Sequence, residues 1–169
     1  MNKSIIAALL MFVAADVLYA QKVKVGYVDK IKVLTELESW QEVDRQLLIM
    51  KENAEFELQI MLREADSLGN VLQNQMMLTE TMRGQLQGRI EQLSRDYQRI
   101  GMARQQELMR KENDLKGPII KGFNDAVRKL GIDEEYTFIY DLSINSILFA
   151  SGGRDLTEQV LFEMRKMFK

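Results

Sequence analysis

Between Ser39 and Lys129 the chain is built almost entirely from residues that favour helix, and its apolar positions fall on a narrow line. Glu, Gln, Arg, Leu and Met dominate the stretch, and all are good helix formers. Val43, Leu47, Met50, Ala54, Leu58, Met61, Ala65, Leu68 and Leu72 follow one another at steps of three or four. A second series runs through Met82, Leu86, Ile90, Leu93, Tyr97 and Ile100, with Leu108 and Leu115 beyond. Seams this narrow belong to coiled-coil packing, and a helix carrying one must find a partner to bury it. Residues 74–80 separate the two series, and Thr79 is placed to cap a new helix. A fold-back there predicts an antiparallel hairpin of two helices, each roughly 40 residues and ~60 Å long.

Charge supports this pairing. Residues 38–72 carry Glu38, Glu42, Asp44, Glu52, Glu55, Glu57, Glu64 and Asp66 against only Arg45, Lys51 and Arg63. Residues 79–116 carry Arg83, Arg89, Arg95, Arg99, Arg104, Arg110, Lys111 and Lys116 against six acids. An acidic arm beside a basic one favours the hairpin, although each exposed ion pair contributes little alone.

The flanks read differently. Val23 to Val28 is β-branched and weakly alternating, so a short strand is expected, followed by a short helix from Lys30 to about Leu34 capped by Asp29. Beyond Gly131, Tyr136-Thr137-Phe138-Ile139-Tyr140-Asp141 reads as a strand. Ile147-Leu148-Phe149-Ala150 reads as its hairpin partner, and Ser151-Gly152-Gly153 as a break. Asp155 with Glu158 suggests a capping box for a last helix, whose apolar face is Leu156, Val160, Met164 and Met167. Three short strands make a poor independent sheet, and the hairpin has no third layer. Oligomerisation, with strands from several copies completing one β body, is the simplest remedy.

Composition removes most chemistry. The chain of 169 residues has no histidine and no cysteine, which excludes the usual zinc, haem, iron–sulfur and thiol sites and the commonest general base. A net charge of −2 gives no basic excess to attract nucleic acid. No phosphate loop or calcium loop occurs, and no paired acids stand out from a solvated helix face, so neither an enzyme nor a cofactor is expected. At the N-terminus Lys3, the apolar run Ile5 to Val13, and Leu18-Tyr19-Ala20 before Gln21 read as a secretory signal over residues 1–20. The run is shorter than the ~20 residues a membrane-crossing helix needs.

Three stretches together resemble the Skp/OmpH family of periplasmic chaperones. Val25-Gly26-Tyr27-Val28-Asp29-Lys30-Ile31-Lys32-Val33-Leu34 is similar to the family's first strand and short helix. Pro118-Ile119-Ile120 through Ala126-Val127 is similar to its helical return. Tyr136 to Asp141, Ser146 to Ser151, and Asp155-Leu156-Thr157-Glu158-Gln159-Val160-Leu161 are similar to its closing strand, strand and helix. The resemblance implies an α+β fold and a homotrimer, with a small β body completed by trimerisation and long coiled-coil hairpins projecting as tentacles. It implies a periplasmic holdase that keeps unfolded outer-membrane β-barrel proteins from aggregating, without ATP, in the cavity between tentacles. The best-known members are strongly basic, unlike this chain, and no motif places membrane or lipopolysaccharide contact on particular residues. A coiled-coil spacer or adaptor of the cell envelope is the alternative reading.

On this reading residues 21–38 and 118–169 form the body and residues 39–117 the hairpin. Val25, Tyr27, Phe138, Tyr140, Ile147 and Phe149 are the strand positions expected to build the shared body. Met76, Met77, Leu78 and Met82 at the tip are the expected client contacts, since unbranched thioethers repack against many partners. Met50, Met61 and Met82 also occupy seam positions, so packing is the competing role for those three. Trp40 is expected to anchor the hairpin to the body. Pro118, the single proline, deletes the amide that would bond the Asp114 carbonyl, and with Gly117 before it a bend is expected there.

Overall fold

The computed structural model describes residues 23–75, 77–144 and 152–168. Along the chain come β1 (Val25–Val28), α1 (Lys30–Thr35), α2 (Glu38–Asn74), α3 (Glu80–Asp133), β2 (Phe138–Asp141), β3 (Arg154–Asp155) and α4 (Thr157–Met167). The fold is α+β: a long helical hairpin rises from a small body of strands and short helices. Among the described residues no helix is long and apolar enough to cross a membrane.

The hairpin forms where the seam predicted it. Thr79 caps α3, its Oγ1 accepting the Met82 N–H at 3.3 Å, which satisfies one of the otherwise unbonded amides of a first turn. Asp29 does the same for α1, accepting from the Lys32 N–H at 2.9 Å. The sheet has β1 in the centre with β2 and β3 running parallel to it on either side. Val25 stands opposite Phe138 and Tyr27 opposite Tyr140.

Alternation along β1 turns Gly26 and Val28 inward, where both are buried. The core beneath them contains Val33 and Leu34 of α1, Ile119, Phe123 and Ala126 of α3, and Val160, Leu161 and Met164 of α4. Gly26 is required by close approach, because a Cβ there would lie 2.7 Å from Leu156 Cδ1. Thr157 is the one buried polar residue among those described, and its Oγ1 accepts the Asp29 N–H at 3.0 Å.

Three sequence expectations need correction. The second strand begins at Phe138, two residues later than expected, and its described partner is β1. The expected hairpin partner, 147–150, lies outside the described residues, as does the segment 1–20. A third strand, Arg154–Asp155, follows the glycines. Asp155 is therefore not the N-cap of α4: it belongs to the strand, and its Oδ1 accepts the Thr157 N–H at 2.9 Å. Leu156 takes the cap position, and Glu158 pairs with Lys32 at 2.8 Å instead of closing a capping box. Pro118 lies inside α3, which runs as one helix of 54 residues from the tip into the body. Met167, assigned to the apolar face of α4, is nearly half exposed.

The end of α3 has a specific closure. Glu135 adopts φ of 56°, while the Tyr136 N–H bonds the Gly131 carbonyl at 2.9 Å and the Glu135 N–H bonds the Ile132 carbonyl at 3.2 Å. This is the Schellman pattern, with glutamate where glycine is usual.

Candidate functional site

Two surfaces distinguish this molecule. The first is the face of the sheet that the described helices do not cover. The same alternation that buries Gly26 and Val28 places Val25 and Tyr27 on the opposite face. The register sets Phe138 and Tyr140 beside them. The Phe138 and Tyr140 rings lie 6.1 Å apart and near parallel, and both are substantially exposed. Four of the six expected body residues thus share one apolar face; Ile147 and Phe149 lie outside the described residues.

The second surface is the pair of arms. Three ion pairs tie them together: Glu64 to Arg89 at 2.7 Å, Glu57 to Arg104 at 2.9 Å, and Asp44 to Lys116 at 3.0 Å. In each the acid comes from α2 and the base from α3, as the charge difference between the arms predicts. Arg104 also meets Glu107 at 2.9 Å. The hydrogen bond to Glu57, then that to Glu107, raises its pKa further. At Lys116 partial burial works to lower the pKa, but hydrogen bonds to Asp44 and Glu112 outweigh it and the net shift is upward. Its Nζ also sits 4.8 Å over the Trp40 ring, a cation–π contact at the foot of the arms. Trp40 packs on the core, so the sole tryptophan does join arm to body.

Gly117 and Pro118 follow Lys116 directly and are both exposed. The next residue, Ile119, belongs to the core. Environment changes here from arm to body while the secondary structure does not.

The arms bury their seam but leave a second apolar set in water. Ile49, Phe56 and Ile60 are all at least half exposed. Separations of seven and four residues put them within about 40° of one another on α2, on the side opposite Leu47, Ala54 and Leu58. Met102 and Met109, seven residues apart on α3, likewise face away from the seam. Of the expected tip residues, Met77 is almost wholly exposed, Leu78 is partly buried, and Met82 is half exposed, so packing does not account for Met82. Met76 lies outside the described residues. Ile49, Phe56 and Ile60 fall outside the single apolar line of the seam. The signal was a parallel apolar line half a turn away. Among the described residues no three acidic, histidine or cysteine side chains gather as a metal site.

Among the described residues, a small sheet carries a long antiparallel helical hairpin, with apolar side chains open on one sheet face and along both arms. The model of the family described as outer membrane protein (OmpH-like) matches residues 24–164, and the chain belongs to that family. The chain is also similar in fold to a crystal structure from Caulobacter crescentus CB15, a candidate outer membrane chaperone (OmpH-like). The TM-score is 0.70 at 16% identity, over 89% of this chain and 92% of that one. Among curated proteins, no sequence match reaches significance.

Proposed function

We propose that the chain is an ATP-independent holdase of the periplasm, which binds unfolded outer-membrane proteins between the arms of a homotrimer and prevents their aggregation. Membership of the OmpH-like family supports a chaperone role. The observation that carries the reading is the second apolar set on the arms: isolated side chains such as Ile49, Phe56 and Met102, exposed and separated by charged residues. Such a surface offers many weak contacts to an unfolded chain and no single deep pocket, so no one side chain is essential. Trimerisation rests on the open sheet face of Val25, Tyr27, Phe138 and Tyr140, whose aromatic rings gain by burial against further copies. Residues 1–20 fit a signal for export, consistent with the periplasm.

The test is light scattering after dilution of an outer-membrane β-barrel protein from urea. A stoichiometric excess of this chain suppresses the scattering. Unchanged aggregation rejects the proposal. Native mass spectrometry with and without the client reads the trimer and the client stoichiometry together.

The exposure of Met77 at the turn favours one second reading, a spacer that docks an envelope partner by its tip. Substitutions at Met77, Leu78 and Met82 separate the two: a holdase tolerates them, whereas a spacer loses its single partner.

A further inference from the structure

The exposed apolar residues of the two arms differ in kind. On α2 they are Leu48, Ile49, Phe56, Ile60 and Leu62, with no methionine among them. From the turn along α3 as far as the body they are Met77, Met82, Met102 and Met109, and every one is methionine. Their exposures are 97%, 50%, 64% and 56%, whereas Met164 in the core is at 0%. The chain has no cysteine, so thioethers are its only sulfur and the first groups a two-electron oxidant meets. Susceptibility of such groups rises with access to solvent.

We propose that these four methionines are an oxidation site that switches off the apolar surface of the tip and returning arm; the functional half of this inference rests on the arms being the client-holding surface. The oxidant class is a hydroperoxide. A sulfur lone pair attacks the distal peroxide oxygen, the O–O bond breaks, and the S–O bond forms. With hydrogen peroxide the departing hydroxide takes the proton from the transferred oxygen and leaves as water. Sulfur is oxidised by two electrons and the peroxide is reduced by two. The product sulfoxide is polar, so an adaptable apolar contact becomes a hydrated one. The α2 set of leucine, isoleucine and phenylalanine is inert to this reaction, so holding falls without vanishing. Reduction by methionine sulfoxide reductases with a dithiol restores it.

The experiment treats the purified full chain with hydrogen peroxide, maps sulfoxides by peptide mass spectrometry, and repeats the scattering assay. Met77, Met82, Met102 and Met109 oxidise before Met164, and severalfold more protein is then needed to suppress aggregation. The variant M77L/M82L/M102L/M109L holds client before treatment and keeps that capacity after it. If the untreated protein holds no client, the proposed function itself fails. If it holds client equally well after oxidation, or if the leucine variant loses holding to the same extent, the switch is overturned. A loss that tracks falling helical circular dichroism assigns the effect to unfolded arms and also overturns it.

Discussion

Glu163 on α4 sits between two lysines, with Lys129 Nζ at 2.9 Å and Lys166 Nζ at 2.6 Å. The hydrogen bond from Lys166, then that from Lys129, holds its carboxyl below the ordinary value. The unfolded chain therefore takes up this proton at a higher pH than the folded one. The stabilisation is whole above the ordinary glutamate value of about 4.3 and is lost as pH falls through the lower folded value. Thermal melts of Glu163→Gln should show a lower midpoint than the parent at pH 7, and the gap should close toward pH 3. The packed interior is less forgiving. Met164 is fully buried, and Met164→Ala should cost about 2–5 kcal/mol in denaturant titrations through lost contacts and a residual cavity. Gly26→Ala errs the other way. Its methyl would overlap Leu156 and crowd the Tyr136 ring, a strain on the order of 1–3 kcal/mol.

At the scale of elements, the hairpin was legible because its signals are local and repeated. Nine seam positions, a capping threonine and a charge difference between arms all pointed to one turn, and each was read from neighbours a few residues apart. What was not legible depended on distant partners. Arg154–Asp155 has no strand-like alternation; it is a strand because Gly26 and Tyr27 of β1 lie beside it. Asp155 could not be told from a cap until that pairing was known. Pro118 costs a helix interior roughly 3 kcal/mol, yet α3 runs through it. Packing of Ile119, Phe123 and Ala126 in the core fixes the turns beyond it and offsets the missing bond. The outward line of Ile49, Phe56 and Ile60 was within reach of the sequence and needed only a second line on the same wheel.

Two element-scale predictions follow from backbone conformation. Glu135 holds a positive φ that a side chain disfavours. Glu135→Gly should raise stability by about 0.5–1 kcal/mol, read as a higher denaturant midpoint. Gly69 near the end of α2 and Gly84 and Gly88 near the start of α3 lie toward the tip, and a Cβ added at any of them would meet nothing within 4 Å. Replacing all three with alanine should slow amide exchange in the distal arms, each change being worth up to about 1 kcal/mol of helix propensity. Their present effect is to loosen both arms near the tip.

For the whole molecule, the open sheet face sets the assembly prediction. Phe138→Asp with Tyr140→Asp puts two charges where aromatic rings are expected to meet other copies. Native mass spectrometry should then show monomer in place of the proposed trimer while helical circular dichroism stays unchanged. A variant that remains trimeric shows that the copies meet elsewhere.

The central place of β1 also bears on how the chain comes to be folded. Its two neighbours in the sheet lie more than a hundred residues further along. Closing so long a loop unaided is slow and entropically costly. The arms remove that cost. Zipping up from the turn at Thr79 needs only nearby contacts, and each added turn draws the two distant ends of the polypeptide closer. With the hairpin formed first as a splint, the sheet should be the last part to acquire protection in pulsed hydrogen exchange, and early protection of β1 would reject that order.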